Sequence, residues 1–497
     1  MSTIKNIYKG LILCTSVFFL AGCSDSFLDK EPSGSISTGQ LPEVTGLHPD
    51  IAENMISGIY SRSFAYSSGG TGEDHDFGQK STDIAVDMMA GDVALSSKIY
   101  GWFSDASELA CTNRTDGRTI MLWNTYYRML YAANEVIESL GGNDVEPETD
   151  AAKYSMGQAK AIRGYCYYNL VNLFGKTYKE DKSFVCLPIY TGVTSEPAAL
   201  SSVEDVYELI ITDLTKAVVY LEGYERTDKV RINQDVARGL LAYAYLQTGK
   251  YKEAKETADL VLGSGKYPIM SMADIMESGF NTISIPSWMW GVDIIQANTG
   301  GLATFWGHMD IFTYSYAWAG DLKPVDSNLY ARIPDTDQRK YWFYGDPSSD
   351  LYLVAYAKFY NAARNLGNPD RNWVDDIVYM RSEEMILIKA EAALRNNEPA
   401  VAKSALKTLL VERDDTVLGQ IDGMSNDALL EEIYFNWRAE LWGEGKALQT
   451  MKRFEKTVKR GSNHLPGFQN IDVKYNDSRL LFDIPQREQL NNPNIPQ

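Results

Sequence analysis

The sequence predicts a mainly α-helical body of stacked helical hairpins, with irregular loop-rich insertions and a few short strands. Three observations carry this. Long segments repeat apolar residues at helical spacing and stop at glycine, and one helix–turn–helix pattern recurs at a fixed offset. The stretches between them are dense in Trp, Tyr, Gly and Pro, without sustained alternation. An apolar fraction of 44% against 23% charged is the balance of a globular chain, and 497 residues exceed one ordinary core.

From the N-terminus, Lys5 and Lys9 precede an apolar run from Leu11 to Leu20 with no acid before it. That is a signal-peptide pattern over 1–22, too short to span a bilayer at about 20 residues per crossing. It ends in Leu20-Ala21-Gly22-Cys23, which resembles a bacterial lipobox, so Cys23 is expected to be lipidated and to begin the mature chain. An ordinary secretory signal with a chance cysteine is the alternative. Residues 23–45, rich in Ser, Gly and Pro, read as an extended leader from the lipid anchor to a body at 46–497. Nothing downstream reads as a transmembrane helix, so contact with the membrane is expected through the lipid alone.

Helices are expected over Met121–Leu140, stopping at Gly141-Gly142, and over Tyr154–Phe174, stopping at Gly175. A third, Val203–Leu221, aligns Val203, Val206, Tyr207, Ile210, Leu214, Ala217, Val218 and Leu221 on one face, with Ser201 and Glu204 expected as its capping box. Ala242, Leu246, Ala254 and Ala258 recur 148 positions on as Ala390, Leu394, Ala402 and Leu406. Small residues where two helices cross, with a turn between, resemble a tetratricopeptide hairpin. The helical scaffold is placed at 119–262 and 376–460, and the irregular insertions at 60–118 and 264–375. A short strand is expected within Ser287–Ala297, where Trp288 and Trp290 alternate with Ser287 and Met289 and at least one of the two is core.

The formal charge is −19, from 47 Lys and Arg against 66 Asp and Glu, and no basic block occurs. Nucleic acid would be repelled. Cys111, Cys166 and Cys186 remain after Cys14 and Cys23 are set aside; three allow at most one disulfide, and no C-x-x-C pair suggests zinc. The four histidines form no metal pair, and there is no nucleophile elbow; Gly69-Gly70-Thr71-Gly72 lacks the Lys-Ser/Thr of a phosphate loop. Glu73-Asp74-His75-Asp76 reads as a solvated acidic loop, with a cation site as the alternative. No cofactor, metal or catalytic residue is expected, although glycoside hydrolysis, which needs only two carboxylates, leaves no sequence signature to exclude.

Six ordered motifs resemble the SusD/RagB family of surface glycan-binding lipoproteins. Cys23, Asp25, Leu28, Asp29 and Pro32 are similar to its opening C-x-D-x-x-L-D-x-x-P, and residues 159–178 to its R-A-x-x-Y-x-x-L-x-x-x-F-G segment. Val203, Tyr207, Ile210, Asp213, Leu214 and Ala217 match V-x-x-x-Y-x-x-I-x-x-D-L-x-x-A. Arg381 and Glu384 with Ala390-Glu391-Ala392, then Arg438, Glu440, Glu444 and Gly445, then Ile484-Pro485, Glu488 and Asn491, complete the series. The resemblance implies a helical, non-enzymatic protein, lipid-anchored on the cell surface of the outer membrane. Such a protein binds oligosaccharides or polysaccharides and delivers them to a TonB-dependent SusC-like transporter. Surface capture of peptide or glycopeptide cargo, an unrecognised glycosidase, and a structural cap that gates the transporter are the alternatives. The motif acids and arginines are read as helix-packing ion pairs.

Sugars present C–H faces to flat aromatics and hydroxyls to polar side chains. In the windows the family uses for ligand, this chain places Asp83, Asp87, Trp102 and Asn113, then Trp306, His308, Tyr314, Tyr316 and Trp318. The ligand-binding candidates are Asp83, Trp102, Trp306, His308, Tyr314, Tyr316 and Trp318.

Overall fold

The computed structural model describes Thr45 and residues 50–361 and 371–495. The expected signal peptide, the lipidation site Cys23 and all but the last residue of the leader lie outside them. The main helices are α1 (Asp50–Arg62), α2 (Gln79–Ala90), α3 (Gly117–Ser139), α4 (Asp150–Phe174), α5 (Val203–Tyr220), α6 (Gln234–Gln247) and α7 (Tyr251–Gly263). Within the central loops lies α8 (Phe305–Met309), and after them come α9 (Ser382–Arg395), α10 (Pro399–Leu410), α11 (Asn426–Glu440) and α12 (Ala447–Arg453). Among the described residues the strands form three two-stranded antiparallel sheets. No described helix is long and apolar enough to cross a membrane.

The helices pack as a chain of neighbours: α3 on α4, α4 on α5, α5 on α6, then hairpin α6–α7 against hairpin α9–α10, with α11 closing on α9. Ala242, Ala254, Ala258, Ala390 and Ala402 are fully buried at the crossings, so the 148-residue repeat is a pair of stacked hairpins. Small side chains there let the backbones approach, and each hairpin buries the apolar face its neighbour offers.

Several boundaries differ from the sequence expectation. α3 starts four residues early because the Asp116 carboxylate accepts from the Arg118 N–H at 2.8 Å; α4 starts after Thr149, whose hydroxyl accepts from the Ala152 N–H at 3.3 Å. The capping box of α5 is Ser202 with Asp205, one residue later than expected. Within the stretch read as irregular before residue 118 lies α2, whose twelve residues are all buried. A helix covered on every side carries no amphipathic period, and Gln79, Lys80, Thr82, Asp83 and Asp87 mask it further. In the Ser287–Ala297 segment only Trp288–Val292 is strand, pairing with Ile377–Arg381 through an irregular register. Both Trp288 and Trp290 are core, and Trp290 Nε1–H donates to the Val230 carbonyl at 2.9 Å. Cys111, Cys166 and Cys186 are all buried free thiols.

The motif charges form buried ion pairs. Glu440 accepts from Arg381 Nη1 at 2.7 Å and from Arg413 Nε at 2.9 Å, with Arg339 Nη1 at 3.3 Å. Arg381 also holds Glu444, which takes Lys358 Nζ at 2.7 Å. Glu391 pairs with Arg453 and Arg395, Arg438 with Asp92, and Glu384 accepts from the Arg381 backbone N–H. These contacts tie the strand Ile377–Arg381, α9, α11 and the central loops into one body, and removing one partner would strand a buried charge.

Burial alone would raise the Glu444 carboxyl, but Arg381 and Lys358 outweigh it and hold it at about 2. Its folded value lies below the ordinary 4.5, so the stability it contributes is complete above about pH 4.5 and is lost as pH falls through about 2. Urea midpoints of wild type and Glu444→Gln measured at pH 6, 4 and 3 should converge as pH falls. A constant gap would contradict the assignment.

Candidate functional site

The loops at 60–118 and 264–375 together bring a column of aromatic rings from the core to the surface. At its base the Phe77 ring stacks on His308 at 5.2 Å, and His308 meets Tyr316 at 4.9 Å. Tyr316 in turn meets Trp102 at 5.8 Å and Tyr100 at 5.0 Å, both edge-on, the geometry that ring quadrupoles favour. His75 packs edge-on against Trp102 at 5.2 Å. Tyr100, at the outer end, is 54% exposed.

A second pair flanks the column. Residues 315–319 form one helical turn, with the Ala319 N–H donating to the Ser315 carbonyl at 3.0 Å. That turn places Tyr314 and Trp318 side by side, ring centres 5.5 Å apart. The Arg371 guanidinium lies 4.5 Å over the Tyr314 ring, and Trp373 Nε1–H donates to the Tyr314 carbonyl at 3.2 Å. Trp318 is 40% exposed. Ser97 Oγ donates to the Gly320 carbonyl at 3.0 Å, joining the loop that carries Tyr100 to the loop that carries Trp318.

Two hydrogen bonds to Asp74 tie the column down. The Tyr316 hydroxyl donates to Asp74 Oδ2, and His308 Nε2–H donates to the Asp74 carbonyl at 3.0 Å. Burial, reinforced by Lys323, pushes the His308 imidazolium well below the ordinary histidine range, so the ring is neutral at pH 7. His75 is likewise lowered to about 3 by burial and by Arg118. Neither histidine is poised to shuttle protons near neutrality. Asp76 is buried and accepts from the Gly69 and Thr71 N–H groups at 2.8 and 3.0 Å, so Glu73–Asp76 is a built turn under the aromatic face rather than a freely solvated loop.

Of the residues singled out from sequence, the structure gathers Trp102, His308, Tyr314, Tyr316 and Trp318 on this face, with His308 beneath it. Trp306, only 1% exposed, lies in the core against Phe305 and offers no surface to a ligand. Asp83 is also buried, pairing with Lys80 at 3.0 Å and accepting from Gln79 Nε2 at 2.8 Å. Asp87 accepts the N–H groups of Gly445 and Ala447, both at 3.1 Å, where Gly445 turns with φ +75°. Asn113 is exposed but folds onto its own turn, accepting from the Thr115 N–H at 3.0 Å. Sequence reasoning missed Tyr100, Arg371 and Trp373. Tyr100 stands two residues from Trp102 in a loop, a spacing that pointed to it; the other two depend on how distant loops fold together.

Comparison with known proteins follows the same architecture. A family model described as starch-binding and associating with the outer membrane matches residues 27–246, and the SusD family model matches 347–497. A SusD-like protein of Bacteroides ovatus is 27% identical over 242 residues, covering 48% of this chain and 39% of that protein's length. SusD-like protein P2 of Formosa agariphila is 24% identical over 417 residues, covering 76% of this chain and 80% of its own. Among solved structures, a SusD-like carbohydrate binding protein from Bacteroides vulgatus superposes with a TM-score of 0.78 at 26% identity, over 90% of this chain and 97% of that one. A SusD superfamily protein from Bacteroides thetaiotaomicron gives 0.74 at 23% identity, over 90% and 99%, and bears on the fold alone.

Proposed function

Because this chain belongs to the SusD/RagB family, we propose that it is a cell-surface lipoprotein, anchored in the outer membrane through Cys23. It captures oligosaccharide or polysaccharide and passes it to a SusC-like TonB-dependent transporter. The observation that supports capture is the exposed aromatic face of Tyr100, Tyr316, Tyr314 and Trp318, held by rings and hydrogen bonds beneath it. Pre-organised aromatics cost little ordering entropy when a pyranose face settles on them. Arg371 beside Tyr314 supplies hydroxyl-directed hydrogen bonds at the rim.

Binding makes or breaks no bond here. Asp74 is committed to Tyr316, and Asp321, behind the loop, pairs with Lys323 in the interior at 3.5 Å. A glycosidase would instead present two free carboxylates across a cleft.

Affinity electrophoresis of residues 24–497 in gels containing starch, xylan, galactomannan or mixed-linkage β-glucan tests the reading. Retardation by at least one polysaccharide, with no reducing ends released on prolonged incubation, is expected. Unretarded migration in all of them, with retention on immobilised peptide or glycopeptide, would move the cargo to the peptide class. Release of reducing ends would make the chain a hydrolase.

A further inference from the structure

Away from the aromatic face, α3 borders a cavity of ≈ 410 Å³. Trp123, Tyr127 and Tyr131 line it at successive helical turns, so one helix presents three aromatic rings in a row. Trp123 and Tyr127 lie 4.6 Å apart and Tyr190 meets Tyr127 at 6.2 Å, while the Tyr127 hydroxyl donates to the Pro188 carbonyl at 2.9 Å and fixes that ring. Tyr131, 46% exposed, forms the outer end. The charged groups around it are Arg62, Arg128, Glu135 and Glu488. Arg62 and Glu135 have no side-chain partner among the described residues. Among the described residues, these two charged groups beside the aromatic row have hydrogen-bonding capacity to spare.

We infer that this groove is a second saccharide site, taking a neutral pyranose segment that stacks on Tyr131 and Tyr127 and hydrogen-bonds Arg62 and Glu135. The volume suits a short oligosaccharide segment. Two arginines against two glutamates leave the lining without net charge, so it favours a neutral sugar over a uronic acid or a charged peptide.

The loop before α2 joins the groove to the aromatic face. The Asn124 amide donates to the Gly69 carbonyl at 2.9 Å, and Arg128 Nη1 donates to the Ser68 carbonyl at 2.9 Å. A side chain at Gly69 would put its Cβ 2.7 Å from the Met121 backbone, so glycine is what lets the loop lie against α3. Five residues further on, Asp74 supports Tyr316. Five residues reach at most about 18 Å, so the loop residue that touches α3 and the one that supports Tyr316 are close along one short segment. Two weak contacts on one chain then reinforce each other through effective concentration.

This inference rests on the glycan-capture reading, and its test separates the two. The same polysaccharide gels are run with wild type, Tyr131→Ala/Glu135→Gln, Tyr131→Phe and Trp318→Ala, each first shown to keep the wild-type melting temperature. The groove double variant is expected to lose about 5- to 10-fold in apparent affinity, Tyr131→Phe to match wild type, and Trp318→Ala to keep a weak residual retardation. A groove variant that migrates as wild type, or Tyr131→Phe failing as badly as alanine, overturns the second site while leaving capture standing. Wild type unretarded by every polysaccharide overturns both.

Discussion

Glu440→Gln should destabilise the protein by about 3–5 kcal/mol, about a fifth or more of the stability of an ordinary domain. Glu440 stands at the convergence of Arg381, Arg413 and Arg339, and all four side chains are fully buried. Their attraction holds its carboxyl well below the usual range despite burial that pushes the other way. The amide keeps the shape but leaves three guanidinium groups in the interior facing an uncharged partner. Urea denaturation at pH 7 reads the effect directly. The exposed pair Arg479–Asp477 provides the contrast: Arg479→Ala should change stability by less than about 1 kcal/mol, because solvent screens the pair. Equal costs at the two sites would contradict the structural role assigned to the motif charges.

The second large effect is on binding. Tyr100→Ala combined with Trp318→Ala should weaken glycan affinity by at least about 30-fold, the equivalent of about 2 kcal/mol for loss of exposed aromatic anchors. Both rings face solvent, so the melting temperature should hold. Trp306→Ala should behave in the opposite way. Its ring is core, and truncation should cost about 3–5 kcal/mol of stability while the folded fraction binds as before. Calorimetric titration of a retarding oligosaccharide, beside thermal melts of the three proteins, distinguishes these outcomes. Loss of binding in Trp306→Ala at full folding would return that residue to the ligand face.

The contrast between Trp306 and Trp318 shows where sequence reasoning reached its limit. Helices α3, α4 and α5 were legible because each repeats an apolar face and ends at a recognisable cap or glycine. The paired hairpins were legible because the same small residues recur at a fixed offset. The six motif charges were legible as packing groups because charges confined among apolar helices persist only in pairs. α2 was not, since it is covered on all sides and half its residues are polar.

Within the site, sequence reasoning found the loop that holds Tyr314, Tyr316 and Trp318, and the neighbouring Trp102. Which rings point outward is decided by long-range contacts. The turn at 315–319 pairs Tyr314 with Trp318, and the Tyr316–Asp74 bond turns the third ring onto His308. Asp83 and Trp306 lie in short helices whose residues are all buried, and their local sequence carries no sign of that burial.

A glycan-array screen of residues 24–497, followed by calorimetry on each hit, tests the central claim most directly. Binding of one linkage class in the micromolar-to-millimolar range, about −8 to −4 kcal/mol, with the glycan recovered intact, is the predicted result. Silence across the array, or recovery of shortened glycans, would contradict it.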